Sequence, residues 1–307
     1  MRVEKRGTNQ IECLFIGSAT EDILMLVDRP PASDQRIVAE QVVYSCGGIA
    51  MVAGSAFHKL GGRAGLVTSI GGPSAASDHV TEAIRNYQLP FCQILEMPEA
   101  STSFSTILVE KNGKRLIANH GGSAKQITLD MIDHDALANA AMVHLGGVSD
   151  ELFYEVAKYC KEHTDAVVSV DGGNVERETC DKILPYVDIY IPDHKTAERT
   201  LGLSPQEACR YYCDRGVKLA CVTQGEEGCI ALCEGTYYEA PAFDVPVVDT
   251  TGAGDNFHGA FLYGYLQGWD IEKILRFASG FSGLTCGALG GLAGEPTLEE
   301  TMKLIET

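Results

Sequence analysis

The stretch "VVDTTGAGDNFHGAF", residues 247–261, carries the features that decide the fold and the chemistry. A β-branched approach leads into the glycine turn Gly-Ala-Gly at 252–254, and Asp255 follows directly. The apolar residues after it recur at helical spacing, which predicts a helix with one buried face. A glycine turn that enters a helix N-terminus presents unpaired backbone N–H groups, and side chains there would obstruct a ligand. The run therefore predicts an anion-binding site.

Asp255 is the candidate general base of that site. The helix dipole favours its ionised form, and its carboxylate can accept a proton from an alcohol that faces the bound anion. The alternative interpretation is a tight turn with Asp255 as an ordinary N-cap. Other motifs fit less well, because the chain has no G-x-x-x-x-G-K-[ST] or G-x-S-x-G and Phe257 stands where a dinucleotide fingerprint needs glycine.

Composition narrows the possible partners. The chain has 307 residues, 45% of them hydrophobic, which is enough for a full core. Its 24 basic and 42 acidic side chains give a formal net charge of −18, which repels nucleic acid and anionic lipid. The 11 cysteines form no C-x-x-C pair, and the first ten residues lack the apolar segment of a signal peptide. We therefore expect a soluble, cytoplasmic protein with no nucleic-acid or membrane partner.

The order of patterns along the chain predicts the fold class. From residue 141 onward, apolar strand-like runs alternate with helical patterns, which favours a doubly wound, mostly parallel sheet covered by helices in an α/β fold. We expect one domain over residues 1–307. Segments near 12–45 and 100–122 are β-rich and break this rhythm, and the second contains an Asn-Gly turn. They predict a small β-sheet lid on the main sheet.

A second helix with a glycine start is expected at 47–62, "GGIAMVAGSAFHKLGG". Its apolar residues follow helical spacing, and Gly47-Gly48 precede them directly. A helix that starts from paired glycines exposes unpaired N–H groups at its positive end.

The chain resembles the ribokinase family, the PfkB carbohydrate kinases, in three places. "DTTGAGDNFHGAF" is similar to the C-terminal signature of the family, "SCGGIAMVAGSAFHKLGG" to its N-terminal signature, and "VTQGEEGC" to its nucleotide-side strand and turn. The stretches "ILRFASGFSGLTCGALGGLAGEPT" and "NGKRLIANHGGS" most resemble the branch of ketohexokinases and the kinase of sulfofructose. The resemblance spans nearly the whole chain.

Site residues follow from this resemblance. It implies Asp255 as base, with the transferred phosphoryl group held by the backbone of Gly252, Ala253 and Gly254. MgATP would be the donor. Phosphoryl transfer requires mainly positioning and charge neutralisation, so these few groups are sufficient.

The remaining implied residues bind the two substrates and a cation. Those on the sugar side are Asp22, Gly47 and Gly48. Those that flank the nucleotide are Thr223, Gly225 and Gly228. The region where many members of the family hold a monovalent cation, usually K⁺, contains Asp249 and Thr251.

Two departures from the family pattern bear on the metal and the sugar. The Asn-x-x-Glu motif that organises magnesium is replaced by residues from Asp193 to Thr196, so Asp193 can serve the water shell of the metal but Thr196 cannot supply the second carboxylate. Glu198 is near in sequence but points in a different direction on the helix. An asparagine that contacts sugar hydroxyls in ribokinases is Val52 here, which disfavours ribose. The ketose-kinase branch commonly lacks the first motif too, so the two departures agree.

Other polar residues have open interpretations. Lys114 and Arg115 follow the Asn-Gly turn and either meet an anionic group of the substrate or form a solvated hairpin tip. Asp171 ends a strand and either faces phosphate or metal, or caps a turn. We expect His120, His144 and His258 to be packed or hydrogen-bonded residues rather than catalysts.

The sequence thus predicts an ATP-dependent kinase of a small sugar, a ketose or ketose derivative such as fructose or sulfofructose, that uses Mg²⁺. We expect a homodimer formed through the lid. One alternative is a nucleoside kinase, for which Phe104 and Tyr44 are the candidates for base stacking. The other is a non-catalytic sugar-binding regulator, which would have no need of Asp255.

Overall fold

A nine-stranded sheet and a four-stranded sheet form the protein in the computed structural model, which describes residues 11–173 and 175–306. The strands within these ranges are β1 Cys13–Gly17, β2 Thr20–Val27, β3 Gln41–Gly47, β4 Ala64–Gly71, β5 Phe91–Met97, β6 Ser103–Glu110, β7 Arg115–His120, β8 Met142–Gly146, β9 Val167–Asp171, β10 Ile189–Ile191, β11 Leu219–Thr223, β12 Cys229–Cys233 and β13 Thr236–Ala240. The helices within them are α1 Ile49–Lys59, α2 Ala75–Asn86, α3 His134–Asn139, α4 Asp150–His163, α5 Arg177–Ile183, α6 His194–Leu201, α7 Pro205–Cys213, α8 Ala253–Leu266, α9 Ile271–Thr285 and α10 Leu298–Ile305.

The large sheet has the order β13-β12-β11-β10-β9-β8-β1-β4-β5. Its parallel strands are β5, β4, β1, β8, β9, β10 and β11, and β12 and β13 add an antiparallel edge. Parallel strands that are covered on both faces bury nearly every residue. Successive residues of β1 accordingly enter two different core clusters, with Leu14 and Ile16 in one and Cys13 and Phe15 in the other. The α/β fold and the mostly parallel sheet predicted from the sequence are confirmed.

The small sheet has the order β3-β2-β6-β7. Strands β2 and β6 are parallel at its centre, and β3 and β7 pair antiparallel at its edges. The predicted Asn-Gly turn joins β6 to β7, with Gly113 at φ +79°. The first predicted segment of this sheet has to be corrected at both ends. Residues 13–17 pair with β4 and β8 in the large sheet, and the small sheet continues past residue 45 to Gly47.

Residues of the small sheet divide between its two faces. Asp22 of β2 lies directly opposite Ser45 of β3 and Ser105 of β6, so these three side chains share one face. Their neighbours along the strands, Glu21 of β2 and Cys46 of β3, belong to the opposite face. The first face meets the carboxyl ends of the parallel strands, where α/β proteins bind ligands.

None of the helices in the described ranges is both long and apolar enough to cross a bilayer. The first ten residues, which the sequence analysis compared with a signal peptide, lie outside the described ranges.

Candidate active site

A left-handed glycine places the start of α8. Gly252 has φ +73° and ψ 0°, and a Cβ atom on it would lie 2.5 Å from the Cα atom of Gly291. Only glycine tolerates both the conformation and this approach. The amide nitrogen of Asn256 then donates from its side chain to the carbonyl oxygens of Gly252 at 2.9 Å and Gly291 at 2.7 Å. The two loops are therefore held together at the N-terminus of α8.

The first turn of α8 offers an anion cradle. The backbone N–H of Asn256 is bonded to the carbonyl of Gly252, so the N–H groups of Gly254 and Asp255 precede the first intrahelical hydrogen bond. Gly254 is exposed, and a Cβ atom on it would meet no heavy atom within 4 Å. Of the three predicted donors, Ala253 is differently placed, because its N–H already donates to the carbonyl of Thr250 at 3.2 Å. The backbone N–H groups of Gly254 and Asp255, together with the helix dipole, remain to bind an anion.

Asp255 stands at this cradle with a raised pKa. The pKa of Asp255 is raised to about 7, mainly because the carboxyl group is desolvated. The charge of Asp171 raises this pKa further, whereas the charge of Arg115 lowers it. A carboxylate with a pKa near the working pH is suited to accept a proton and to release it again. Its position at N3 of the helix does not make it the N-cap, which is Gly252. The interpretation of Asp255 as an ordinary N-cap is therefore wrong.

Asp22 faces the same space from the small sheet. It is buried, and its Oδ1 has no hydrogen-bond partner among the described residues. The pKa of Asp22 is raised to about 7, mainly by desolvation. A hydrogen bond with Ser105 lowers this pKa, and the charge of Asp255 raises it. Gly47 allows this placement, because a Cβ atom on Gly47 would lie 2.2 Å from Oδ2 of Asp22. A buried, unpaired carboxylate oxygen is an acceptor for a substrate hydroxyl.

The start of α1 differs from the prediction. Gly48 is its N-cap with φ +98°. Ile49 N–H donates to the Ser18 hydroxyl at 3.1 Å, and Met51 N–H donates to the Ser18 carbonyl at 3.3 Å. Ser18 thus occupies two of the N–H groups that the sequence predicted to be free at this end. Gly48 instead permits a close approach to Ser18, whose carbonyl oxygen would lie 2.5 Å from a Cβ atom.

The turn after β11 lies beside Asp193. Thr223 forms an isolated bridge with Asp193, and its N–H donates to the carbonyl of Pro192 at 3.1 Å. Gly225 and Gly228 both have positive φ, and a Cβ atom on Gly228 would lie 2.1 Å from the carbonyl oxygen of Ala240. The nucleotide-side residues predicted from the sequence are thus close together, at the carboxyl ends of β10 and β11.

The carboxylates of the site differ in what they can offer a cation. Asp249 is buried and accepts hydrogen bonds from the N–H and Oγ1 of Thr251 and from Gly290 N–H, which leaves room for about one further ligand. Both oxygens of Asp193 accept hydrogen bonds from Thr196. Asp171 has one oxygen bonded to Gly173 N–H, while the other lies 3.6 Å from His258 Nε2.

Asp171 is the freest of these carboxylates. Desolvation mainly raises its pKa to about 7, and the charge of Asp193 adds to this effect. Mg²⁺ is commonly held by one or two carboxylates together with substrate phosphates and waters, and Asp171 fits that role. The pKa of His258 is lowered to about 3 by desolvation, so this ring is neutral and packed, as the sequence predicted.

The tip of the small sheet contacts the catalytic loop. The guanidinium of Arg115 donates to Thr250 Oγ1, and that hydroxyl donates to the carbonyl of Gly113 at 3.1 Å. A Cβ atom on Gly113 would lie 2.5 Å from Val247, so the turn packs closely on the approach to α8. Lys114 and Arg115 are both exposed, as in a solvated hairpin tip, but Arg115 also contacts the approach to α8. Sequence reasoning missed Thr250, although it lies inside the quoted motif.

Asn256 was missed as well. It directly follows Asp255, and its two carbonyl partners lie in loops that are far apart in the sequence. The available signal was a polar residue directly after Asp255, but local sequence does not identify its partners.

The fold and this site suit a phosphotransferase: an anion cradle and two carboxyl groups with raised pKa values, Asp22 and Asp255, meet beside a doubly wound sheet. The model of the pfkB family of carbohydrate kinases matches residues 10–298, and the chain belongs to this family. It is thus a carbohydrate kinase, an enzyme that transfers a phosphoryl group to an alcohol.

Individual relatives are distant but nearly full-length. The deoxyribokinase of Salmonella typhimurium is 25% identical, with 94% of this chain and 97% of that protein covered. The ribokinase of Lactococcus lactis is 26% identical, with 93% and 94% covered. The crystal structure of Thermotoga maritima ribokinase has a TM-score of 0.82 at 24% identity, with 97% of this chain and 100% of that one covered. These names lend no support to the ketohexokinase branch suggested by the sequence.

Substitution of the two glycines separates folding from catalysis. Gly252→Ala forces an L-residue into the left-handed region, which costs about 1–2 kcal/mol, and adds a collision with Gly291, so its thermal unfolding midpoint should fall. Gly254→Ala meets no atom and should unfold like the wild type, but its methyl group fills the cradle and should lower kcat by at least about tenfold. Calorimetry and a kinase assay measure both effects. Full activity of Gly254→Ala would contradict the cradle.

The raised pKa of Asp255 predicts the acid limb of the pH profile. The active form is the carboxylate, so kcat/KM for the sugar should rise with pH until about 7, instead of levelling off near the ordinary carboxyl value of 3.8. Because Asp22 and Asp171 also have pKa values near 7, the limb reports their joint titration. Steady-state rates across the pH range, with folding checked by circular dichroism, measure it. A flat profile below pH 7 would exclude Asp255 as the base.

Proposed function

We propose that this protein transfers the γ-phosphoryl group of ATP to a hydroxyl group of a small sugar, with Asp255 as the general base. The observation that carries the proposal is the position of Asp255, with a pKa of about 7, next to the free amides of the α8 N-terminus. An acceptor hydroxyl between Asp255 and the cradle can lose its proton to the carboxylate as it attacks the phosphorus. The developing charge on the phosphoryl oxygens is stabilised by the N–H groups of Gly254 and Asp255.

Asp22 orients the sugar in this proposal. Its Oδ1 is buried and has no hydrogen-bond partner among the described residues, and a sugar hydroxyl that donates to it would satisfy this acceptor. Val52 is buried in α1, close to Gly291. Val52 cannot form a hydrogen bond with a sugar hydroxyl, so the part of the site near α1 would select among sugars by their shape.

The donor is proposed from the relatives and from the turn beside Asp193. The structure of Arabidopsis thaliana ribokinase was determined with ribose and ATP, at a TM-score of 0.80 and 23% identity. In this chain, the corresponding role falls to Thr223, Gly225 and Gly228. Mg²⁺ bound with ATP would offset phosphate charge, and Asp171 would hold it, directly or through water. A potassium ion would use the remaining acceptor position of Asp249, near Thr251.

Two acceptor classes compete on different evidence. The relatives are named ribokinase and deoxyribokinase, which favours a pentose. The apolar side chain of Val52, where ribokinases have a hydroxyl-binding amide, disfavours ribose, and the ketose predicted from the sequence is the competing class. A nucleoside is disfavoured by the small sheet, because Tyr44 and Phe104 lie on the face opposite Asp22.

The test is ADP release with MgATP over ribose, deoxyribose, fructose, sulfofructose, phosphosugars and nucleosides. One acceptor should stand out, and Asp255→Asn should lower its kcat by at least about a hundredfold while ATP binding persists. A pentose as the best acceptor would reject the ketose, and a ketose would reject the pentose. Binding of a sugar without ADP release by the wild type would instead support a non-catalytic regulator.

The same panel decides what Arg115 does. Because its guanidinium already donates to Thr250, we expect Arg115→Ala to lower kcat/KM equally for neutral and anionic acceptors. Lys111→Ala is the matched control, since Lys111 lies on the same hairpin but pairs with Asp28 and Glu40 at the surface. A loss confined to phosphosugars and sulfofructose would show that Arg115 binds an anionic group of the acceptor.

A homodimer through the small sheet is proposed from its exposed outer face. Val42 and Tyr44 of β3 and Leu116 of β7 share the face opposite Asp22, and all three are about half exposed or more. Large apolar residues in one exposed patch mark association surfaces. Sedimentation velocity should show a dimer for the wild type and a monomer for Tyr44→Glu. A wild-type monomer at assay concentration would contradict the proposal.

The eleven cysteines, all of which lie within the described ranges, are free. We propose the cytoplasm as the compartment of this protein, since free thiols are typical of reducing surroundings.

A further inference from the structure

Three different ligand-type side chains meet behind Asp22. Glu21 of β2, Cys46 of β3 and His79 of α2 each offer one donor atom, and these atoms lie within 4.8 Å of one another. Glu21 and Cys46 are directly paired across the two strands, so their side chains lie on the same face. His79 Nδ1 is 2.6 Å from Glu21 Oε2. Within the described ranges, this is the group of three such residues that is close enough to share one ion.

We propose that Glu21, Cys46 and His79 bind a Zn²⁺ ion that joins the small sheet to α2. Thiolate, imidazole and carboxylate are the ligands that zinc takes in proteins, whereas Mg²⁺ and Ca²⁺ prefer oxygen alone. The Mg²⁺ that accompanies ATP therefore does not compete for this site. The three residues lie on the opposite face of β2 from Asp22, so the ion would contact none of the residues proposed for the kinase reaction.

The geometry needs only a small adjustment to accept the ion. Zinc–nitrogen and zinc–oxygen bonds of about 2.1 Å and a zinc–sulfur bond of about 2.3 Å place tetrahedral ligand atoms roughly 3.5 Å apart. The three atoms are already within 4.8 Å, so the ion would replace the hydrogen bond between His79 and Glu21 and separate these two atoms by about 1 Å. Binding also displaces the thiol proton of Cys46, which leaves to solvent.

Charge and access favour a cation here. Burial mainly raises the pKa of the Cys46 thiol, and the charged groups that add to this effect are the acidic residues Glu21 and Asp22. Cys46 and Glu21 are buried, whereas the side chain of His79 is 40% exposed. An ion can therefore enter past His79, and a water molecule on that side would complete four ligands.

The ion would stiffen the base of the small sheet. Strands β2 and β3 lead away from Glu21 and Cys46 into that sheet, and α2 belongs to the helices that cover the large sheet. Strands β2 and β3 are already paired there, and one ion would add a link from both strands to α2, beside the polar pair of His79 with Glu21. A ligand that binds the folded state but not the unfolded state raises stability.

Cobalt spectroscopy tests the site without any substrate. Co²⁺ added to tag-free wild-type protein should give a thiolate charge-transfer band in the near ultraviolet that saturates at one ion per chain, and Zn²⁺ should abolish it. Cys46→Ser should lose the band, and His79→Gln should weaken Zn²⁺ binding by at least about tenfold in calorimetric titration. Cys92→Ser is the matched control, because Cys92 is the exposed cysteine of the described ranges.

The outcomes separate the proposal from an ordinary packed cysteine. Absence of the band in the wild type, or its loss in Cys92→Ser with retention in Cys46→Ser, would overturn it. His79→Gln keeps a donor for Glu21 at a partly exposed position, so it decides the question even if Cys46→Ser fails to fold. Zn²⁺ should also raise the unfolding midpoint of the wild type and leave that of His79→Gln unchanged.

Discussion

The active site depends on the close contact between two glycine backbones, Gly252 and Gly291. A Cβ atom on either one would fall within about 3 Å of the Cα atom of the other, so the loops at 249–256 and 286–292 can meet only without side chains there. Around this contact, Asn256 bridges the two loops with one amide, and Asp249 bridges them again by accepting from Gly290 N–H. The base, the amide donors and the proposed cation site are therefore parts of one rigid unit. Rigid placement is what phosphoryl transfer requires, since little covalent chemistry falls to the protein.

The charges of the site explain how a protein with a net charge of −18 can handle a polyanion. Asp22, Asp171 and Asp255 all have pKa values raised to about 7, mainly by desolvation. At neutral pH these carboxyls are therefore partly protonated, and the site carries less negative charge than its composition suggests. The amides of the α8 N-terminus add positive potential without adding a titratable group. A cation that enters with the nucleotide would favour the ionised carboxylates, so the site gains its reactive charge only when it is filled.

Much of the fold and part of the site could be predicted from local sequence. Helices α1, α4 and α8 follow from apolar spacing and glycine or polar boundaries, and the parallel sheet follows from the alternation of buried strands with helices. Asp255 could be found because the anion cradle and the base are adjacent in one run. The contacts that assemble the site could not be found, because they join distant segments: Arg115 with Thr250, Asn256 with Gly291, and Ser18 with the start of α1. The start of α1 illustrates why local sequence is insufficient. A helix terminus with free N–H groups and one whose N–H groups bond to a distant serine have the same local sequence.

Strand β2 shows how one short segment can serve two separate tasks. Alternation along a strand sends successive side chains to opposite faces, so Asp22 faces the acceptor space while Glu21 faces α2. The two carboxylates are neighbours in the chain, yet each sees a different set of partners: Ser105 and the charge of Asp255 for one, His79 and Cys46 for the other. Their charges remain coupled, because the charge of Glu21 contributes to the raised pKa of Asp22. Any change in charge at Glu21 therefore alters the pKa of Asp22, the carboxylate proposed to bind the sugar, with no movement of the backbone required.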